Sequence, residues 1–525
     1  MQRQEFRATI PGLGRVPLVN LIAVARGRSP DAIVVTAHRD AEPLGRGAND
    51  NASGTAVLIE LARAYANARG AQRELRPAHT LLFVSTDGGA FGGLGAEHLA
   101  TSPAYRDQIV GVLNLDAVAG SGPARLELAG DTPSSPDAVF VETVATRLHE
   151  QTGRAPGRTS ALGQLIDLGF PFSLYEQAPF VGRGIPAVTI TTSGNRPEQG
   201  FGDVSSGLNG TRLAQIGRAA QLTLGSLDQV GVGQGGSTYI YLGARFVRGW
   251  ALELALIAAL LPFLIAAVDL FARCRRRGIR LRPAFRAYRA RAGFWVVVAL
   301  LFSFLNLLGA WPQGASRPPN PATEAAGTWP PVGLAVLGIL AAGAWLAARR
   351  PLLPARPASA ADELAGQTAA LVSLGVLALL VTATNPFALV FLLPSLHAWI
   401  WLPQVREAPA AARAALLLVG FSGPALLLGS FALRFELGLD APWYVAVLLA
   451  LGYVPLSSLA IAVGWTAAAA QLVAIGAGRY APYPTGAQRP PRGPVREVVR
   501  ATILTILRLR THRRAAQAER RVLEA

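Results

Sequence analysis

The sequence predicts an α/β domain, with a mixed central sheet flanked by helices, followed by an all-α domain of several transmembrane helices. Up to residue 246, short apolar runs typical of strands alternate with amphipathic helical patterns and turns. Beyond Trp250, long apolar runs take over, and several approach the roughly 20 residues that a helix needs to cross a bilayer. The composition agrees, because 51% of the 525 residues are hydrophobic and only 15% are charged. We expect four parts: an α/β domain at 1–230, a linker at 231–248, a transmembrane domain at 249–478 and a basic tail at 479–525.

Polar side chains follow one predicted strand and open the next predicted helix. His38 and Asp40, in the run AHRD, come soon after the apolar residues 32–35, and Asp50, in the run GANDNASG, precedes an amphipathic helix over 55–69. A strand end and a helix start can bring these side chains together, and imidazole with carboxylates is a ligand set that zinc accepts. Asp40 can alternatively hold the imidazole tautomer from outside the ligand set. The structural alternative is a hydrogen-bonded strand-end histidine and a helix cap at Asp50.

The metal-site interpretation gains weight from the order of several longer segments. They are NLIA (20–23), IVVTAHRD (33–40), GANDNASGTAVLIELARA (47–64), HTLLFVSTDGGAFGGLGAEHLA (79–100), VGVLNLDAVAG (110–120) and GIPAVTI (184–190). In combination they resemble the co-catalytic di-zinc aminopeptidases of metallopeptidase family 28, over most of residues 15–225. The resemblance implies a zinc-exopeptidase-like fold for the domain at 1–230.

The resemblance implies that three residues bind metal. It also implies that this sequence lacks the general base of the family. His38, Asp50 and Asp116 match one metal's ligand, the bridging ligand and another ligand. Gly89 and Ala90 stand where the family has its general-base Glu and a ligand Glu. The family's last ligand, a His four residues before an Asp, corresponds to Gln199 before Asp203. The resemblance therefore implies at most one zinc ion and no intact catalytic residue.

Two functions remain open for this domain. We expect a catalytically degenerate relative, because hydrolysis needs a base to take the proton of the attacking water. The alternative is an active membrane-bound zinc exopeptidase that hydrolyses peptides outside the cytoplasm. Glu97 and His98 are possible substitutes for the missing groups, although the surface of a helix is the favoured interpretation, and Glu42 and Glu176 are nearby carboxylates without a motif. A nucleotide-binding interpretation of GGAFGGLGAE fails, because the glycine fingerprint is incomplete.

The apolar runs predict about seven membrane spans, and arginine placement predicts their orientation. Arginines are dense after the first span, from Arg273 to Arg291, and recur after the third and fifth spans and in the tail. The alternate loops hold little beyond Arg317 and Arg434. By the positive-inside rule the α/β domain is extracytoplasmic, the tail is cytoplasmic and the protein lies in the cell membrane. The expected spans are 250–271, 293–311, 331–348, 367–384, 386–402, 414–432 and 443–475, the last interrupted by Gly452 to Pro455.

An exported domain needs a signal or an upstream span, and residues 1–30 contain neither. Either a membrane segment precedes the first residue of this sequence, or the domain is cytoplasmic against the arginine bias, and we expect the first.

The net charge of +17 comes from arginine, since the sequence contains no lysine. Anionic lipid headgroups at the cytoplasmic face explain this excess, so we expect lipid partners and no nucleic acid. A Pro-rich linker at 479–494 leads to an expected surface-lying amphipathic helix within 496–521. Cys274 is the only cysteine, which excludes an intrachain disulfide framework, and we expect a thiol reagent to reach it from the cytoplasmic side.

Overall fold

The structure of the chain is a computed structural model. It describes residues 1–42, 45–67, 76–196, 202–233, 238–243, 245–312, 314–321, 329–352, 358–402, 408–478, 480 and 499–505. The N-terminal part contains a seven-stranded mixed sheet with the spatial order β1-β2-β4-β3-β5-β7-β6. The strands are β1 (Gln2–Ile10), β2 (Gly14–Ala25), β3 (Ala32–His38), β4 (Thr80–Thr86), β5 (Ile109–Leu115), β6 (Arg125–Glu127) and β7 (Ala187–Thr191). The predicted mixed sheet is confirmed.

The four central strands, β4, β3, β5 and β7, run parallel, and antiparallel pairs close the sheet at both sides. Because the strands are parallel, His38, Thr86 and Leu115 end at the same edge of the sheet. Polar residues that follow these ends are therefore brought into one region, the usual ligand-binding edge of an open parallel sheet.

Helices cover both faces of the sheet, which explains why every residue of β3 is buried. Successive side chains of a strand alternate between faces, so Ile33 and Val35 join one apolar core, while Val34 joins the other. The helices are α1 (Gly54–Asn67), α2 (Leu94–Thr101), α3 (Ala138–Thr152), α4 (Ala161–Gly169), α5 (Ala178–Val181) and α6 (Gly210–Val230). Three of their N-termini are capped by side chains, namely those of Asp137 for α3, Ser160 for α4 and Asn209 for α6.

A hairpin of β8 (Tyr239–Leu242) and β9 (Arg245–Arg248) leads into the helical region. The helices there are α7 (Gly249–Arg276), α8 (Arg282–Leu307), α9 (Pro331–Leu352), α10 (Ala360–Thr384), α11 (Leu389–Trp401), α12 (Ala410–Gly420), α13 (Ser422–Arg434), α14 (Ala441–Ala450) and α15 (Leu456–Gly476). In the described part of the chain, five of them are long and apolar enough to cross a membrane, namely α7, α8, α9, α10 and α15. The α/β domain is thus followed by a helical region with several candidate spans, as predicted.

Some of the predicted spans differ from the helices observed. Helices α12 and α13 form one broken segment, bent by 63° at Phe421, and would add a sixth span if they cross together. The run at 386–402 contains a 3₁₀ turn at Pro386–Ala388 followed by the 13-residue α11, which is about 20 Å long and therefore shorter than a bilayer core. The run at 443–475 is interrupted between α14 and α15, where Gly452 to Pro455 had suggested a break.

Candidate metal centre

Three predicted ligands meet at the carboxyl edge of the sheet. His38 is the last residue of β3, Asp50 lies in the tight turn just before α1, and Asp116 follows β5 directly. One ligand atom from each of the three lies within 4.8 Å of the others. Their side chains are at most 10% exposed. The strand-end and helix-start pattern had pointed to His38 and Asp50, whereas Asp116 was implied by the resemblance, and the structure brings these three side chains together.

The contacts within this group are those of ligands directed at a common point. His38 Nε2 lies 2.9 Å from Asp50 Oδ1 and 3.5 Å from Asp116 Oδ2. The Oδ1 atoms of both aspartates are buried and accept no hydrogen bond, and that of Asp50 lies in ion-pair contact with His38 Nε2. Two buried carboxylates around one imidazole are costly unless a cation or a protonated His38 compensates them. One imidazole and two carboxylates leave a fourth position open, which is a donor set that suits a single zinc ion.

The backbone of Asp40 orients the imidazole ring. His38 Nδ1 lies 2.9 Å from the Asp40 carbonyl oxygen, whereas the nearest carboxylate oxygen of Asp40 is 3.6 Å away. A proton on Nδ1 can be donated to that carbonyl, which leaves Nε2 free to bind a cation. The sequence suggested the Asp40 carboxylate as the orienting group, but that carboxylate instead accepts the backbone N–H groups of Gly89 and Ala90, at 2.9 and 3.0 Å. Asp40 therefore joins the AHRD loop to the turn that follows β4.

A separate hydrogen-bond network builds the turn that carries Asp50. Asp203 accepts the backbone N–H groups of Asn49 and Asp50, at 2.7 and 2.9 Å. Asn51 donates to the Leu115 carbonyl at 2.8 Å, which ties the turn to the end of β5. In the sequence, Asp203 served only to place Gln199 in the comparison with the family. Its carboxylate fixes the backbone of Asp50 over a sequence separation of 153 positions, a contact for which the chain carries no local signal.

The turn after β4 has no space for the family's glutamate. A Cβ atom on Gly89 would lie 2.2 Å from both Cβ and Cγ of His38. Distances this short do not occur between real side chains, so His38 occupies the volume that any side chain at residue 89 would need. Ala90 is buried and carries no donor atom beyond its backbone. The two residues named as replacements therefore supply backbone hydrogen bonds to Asp40 and no side-chain chemistry.

Glu176 is a buried carboxylic acid beside this cluster that the sequence did not single out by any motif. It is 1% exposed, and both of its carboxylate oxygens accept the hydroxyl of Thr86, at 2.7 and 3.0 Å. Thr86 is the register partner of His38 in the neighbouring strand, so the two side chains project from the same face of the sheet. Burial raises the pKa of Glu176 to about 7, although the nearby His38 opposes that shift.

The pKa values of this cluster are shifted because several carboxylates are packed closely around the imidazole of His38. Burial disfavours the charged form of His38, but the carboxylates of Asp116, Asp40 and Asp50 outweigh it and raise the pKa of His38 well above 6.5. Burial and the neighbouring Asp116 raise the pKa of Asp50. Burial also acts on Asp40, but His38 and the two backbone amides dominate and lower its pKa. Without a metal ion, the proton on His38 compensates these carboxylates.

The other residues considered from the sequence have different surroundings. Glu97 pairs with Arg183 at 2.9 Å, and the His98 ring stacks on Phe6 with the ring centres 4.3 Å apart. Contacts of this kind are expected for side chains on the outer side of a helix. They agree with the interpretation of Glu97 and His98 as helix-surface residues. Glu42 accepts a hydrogen bond from Asn320 of the helical region. Gln199 lies outside the described residues.

Comparison with known proteins identifies relatives of the N-terminal domain. Residues 20–214 match the sequence model of peptidase family M28. Over 120 residues the chain is 32% identical to aminopeptidase YwaD of Bacillus subtilis, covering 22% of this chain and 24% of that protein. Over 104 residues it is 39% identical to human transferrin receptor protein 2, covering 19% and 12% of the two chains. Over 274 residues it is 27% identical to a probable zinc metalloprotease of Leptosphaeria maculans, covering 42% and 60%. The match spans less than two thirds of the length of each of these relatives.

Solved structures with a similar arrangement include the zinc aminopeptidase BSAP of Bacillus subtilis. The TM-score is 0.32 and the identity 21%, over 41% of this chain and 51% of that one. A glutaminyl cyclase from an Acidobacteriales bacterium gives a TM-score of 0.34 and 19% identity, over 44% and 80% of the two chains. The sequence matches alone confirm the predicted resemblance of the N-terminal domain to the M28 zinc aminopeptidases.

Proposed function

We propose that this chain is a membrane-anchored protein whose outer domain keeps a zinc-aminopeptidase-like site for one zinc ion and has lost the hydrolysis of peptides. One observation carries the proposal: Gly89 stands where the resemblance implies the general base, and His38 fills the volume that its side chain would need. Ala90 stands where a ligand of a second metal is implied. The site therefore retains the groups that hold one ion and lacks the group that accepts a proton from an attacking water.

The retained residues support binding rather than turnover. His38, Asp50 and Asp116 would hold the ion, and a bound zinc ion supplies Lewis-acid polarisation of a ligand. Asp40 holds the imidazole so that Nε2 faces the two aspartates. With no base at the family position, a ligand that reaches the open coordination position is held and not cleaved. We propose a peptide or a protein segment as that ligand.

A second candidate function is an active zinc exopeptidase, and Glu176 is the observation that favours it. A general base works best when its pKa lies near the operating pH, and burial raises the pKa of Glu176 to about 7. Its carboxylate is held by Thr86, next to His38. In this case Glu176 would take the proton that the family's glutamate takes from a different place in the chain.

Metal content and turnover of amino-acid anilides separate the two functions. We expect the purified full-length protein to hold one zinc ion per chain, to lose it on His38→Ala or Asp116→Ala, and to hydrolyse anilides no faster than the His38→Ala variant. Two tightly held zinc ions, or zinc retained unchanged in Asp116→Ala, would contradict the single site. Turnover that disappears in both His38→Ala and Glu176→Gln would favour the exopeptidase. Glu97→Gln, whose partner is Arg183, is the matched carboxylate control.

We also propose that the helical region anchors the protein in the cell membrane with the α/β domain outside. Helix α7 starts beside the β8–β9 hairpin and extends over 28 residues, about 42 Å, to the arginine-rich loop. On the opposite side from the arginine-rich loop, the few arginines pair with the α/β domain. Arg317 pairs with Asp131, and Arg434 pairs with Asp167. Their charges are therefore neutralised on the domain side, which supports the positive-inside orientation. Anionic lipid headgroups are the proposed partners of the arginine-rich face.

A further inference from the structure

The helical region contributes a loop that lies against the metal centre. Residues 317–321, which follow α8, are buried, and Arg317 and Asn320 are each only 3% exposed as whole residues. This loop packs on two segments of the α/β domain that flank the site: the AHRD loop after β3 and the turn after β4. The contacts join residues more than 200 positions apart, so they form only when the two parts of the chain dock.

Arg317 is the centre of this contact. Its Nε donates to the Gly92 carbonyl at 2.9 Å, and Nη2 donates to the Ser173 carbonyl at 3.3 Å. Its Nη1 pairs with the Asp131 carboxylate. One planar guanidinium thus donates to acceptors in three separate segments of the chain. A lysine ammonium group cannot reproduce this geometry.

The turn that Arg317 holds is the turn that positions His38. Gly92 closes this turn by donating its N–H to Gly89 at 3.1 Å. The N–H groups of Gly89 and Ala90 fix the Asp40 carboxylate, and the Asp40 carbonyl fixes the His38 ring. Gly89 also packs directly on His38, with no space for even one added carbon. A shift of the turn therefore moves both supports of the imidazole.

A second contact of the same loop reaches the AHRD segment. Asn320 Nδ2 donates to Glu42 Oε1 at 2.5 Å, two residues after Asp40. The loop backbone is equally close, because a Cβ on Gly92 would lie 2.3 Å from the Pro318 carbonyl. Gly92 has a φ of 96°, a conformation that glycine adopts readily. Because Gly92 has no side chain, the loop can approach its backbone closely.

We propose that Arg317 is a positioning residue for the metal site, supplied by the helical region. It acts on His38 through the turn after β4 and through Asp40, so the affinity of the site for zinc depends on the docking of the two parts of the chain. The inference rests on the proposed zinc site at His38, Asp50 and Asp116. It makes the helical region more than an anchor, because binding at the outer site and docking of the helices favour each other.

The chain offers a matched control for this proposal. Arg434 of α13 makes another arginine contact between the two parts, an ion pair with Asp167 at 2.9 and 3.0 Å. Its further partners, the Gly163 carbonyl and Ser430, lie outside the turn after β4. Arg434→Gln therefore removes an interdomain ion pair and leaves the supports of His38 in place.

The test measures zinc affinity of the full-length protein in detergent, by competition with a chromophoric chelator, together with the absorption spectrum of the cobalt-substituted site. We expect Arg317→Gln to lower the affinity about 10- to 100-fold, as loss of outer support of a metal ligand does elsewhere, and to alter the cobalt spectrum. Arg317→Lys, which keeps the charge but not the fork, should show a smaller loss. Arg434→Gln should stay within about twofold of the parent.

Unchanged affinity in Arg317→Gln, with binding abolished in His38→Ala, would overturn the role of Arg317 and leave the zinc site standing. An equal loss in Arg317→Gln and Arg434→Gln would also overturn it, because general loosening of the docking would then suffice. If His38→Ala binds zinc like the parent, the proposed site itself is wrong. Should Arg317→Gln not fold, Arg317→Lys decides, since its unchanged affinity contradicts the proposal and its reduced affinity supports it.

Discussion

At the scale of single residues, the lack of a side chain at Gly89 is coupled to the position of His38. A Cβ on residue 89 would lie 2.2 Å from the His38 side chain. A glutamate at residue 89 would therefore push the imidazole away from Asp50 and Asp116. If the site has lost a general base here, as we propose, introducing glutamates at residues 89 and 90 does not restore it.

We predict that the double variant Gly89→Glu, Ala90→Glu gains no anilide turnover and binds zinc more weakly than the parent. The physical reason is the displacement of His38, so the single variant Gly89→Ala should already weaken zinc binding by about tenfold. Chelator competition and an anilide assay measure both effects. Gly225→Ala, in α6 where an added Cβ meets nothing within 4 Å, is the glycine control. Peptidase turnover in the double variant would refute the prediction.

The raised pKa of His38 predicts how zinc binding depends on pH. Protonated His38 stabilises the metal-free fold below its ordinary pKa of 6.5, and this contribution is lost as the pH rises through the higher folded pKa. Zinc needs the deprotonated ring, so its apparent affinity should rise about tenfold per pH unit until that folded pKa is passed. Competition titrations between about pH 6 and 8, with proton release followed in weak buffer, measure this slope. An affinity that is flat across this range would show that His38 is not a ligand.

At the scale of elements, the parallel strands could be predicted and the turns between them could not. Continuous apolar runs such as AIVVTA indicate buried strands, and their common edge follows from parallel pairing. The support of the Asp50 turn by Asp203 could not be predicted, because a hydrogen bond between residues 153 positions apart produces no repeating pattern in the sequence. Glu176 was named only as a carboxylate without a motif for the same reason, because its partner Thr86 lies 90 positions away. In the helical region, hydropathy identified the runs but not the lengths of α11 and α14.

The Asp50 turn yields a prediction for Asp203. Its replacement by Ala removes the acceptor of two buried backbone N–H groups, which should lower the free energy of unfolding by about 2 kcal/mol. Because Asp50 loses its support, zinc affinity should also fall about tenfold. Denaturant unfolding and chelator competition measure the two effects. Asp137→Ala, which removes the cap of α3, is the matched control: it should lower stability by about 1 kcal/mol and leave zinc affinity unchanged. Equal zinc loss in both variants would contradict a specific role for Asp203.

At the scale of the whole molecule, the docking of the α/β domain on the helical region could not be inferred from composition. Hydropathy and arginine counts predicted a helical region and its orientation. Arg317 and Arg434 were minor exceptions to the expected scarcity of arginine in the extracytoplasmic loops. The structure gives both exceptions a partner in the α/β domain, at Asp131 and Asp167. These partners are separated by 186 and 267 positions in sequence, so only the folded chain brings them together.

The structure also changes the way in which the predicted orientation has to be tested. Cys274, the only thiol, is 0% exposed and lies 3.2 Å from the Thr368 hydroxyl inside the helical region. Because packing shields this thiol, weak labelling of Cys274 would not distinguish the two orientations, and the expectation that a reagent reaches it from the cytoplasmic side stays a prediction. A Cys274→Ser background with cysteines at exposed positions avoids this problem. Arg277→Cys reports the arginine-rich loop, and Leu439→Cys, at a residue that is 91% exposed, reports the loop beside Asp440.

We predict that a membrane-impermeant maleimide labels Leu439→Cys in intact cells and labels Arg277→Cys only in inverted vesicles or after permeabilisation. The reason is that clustered arginines stay on the cytoplasmic side, whereas Leu439 follows Arg434, whose charge Asp167 of the α/β domain neutralises. Full labelling of both positions in denaturant controls for intrinsic reactivity. Labelling of Arg277→Cys but not Leu439→Cys in intact cells would reverse every span and put the zinc site in the cytoplasm. The ligand proposed for that site would then have to be a cytoplasmic peptide, even though the contacts of Arg317 and Arg434 would be unchanged.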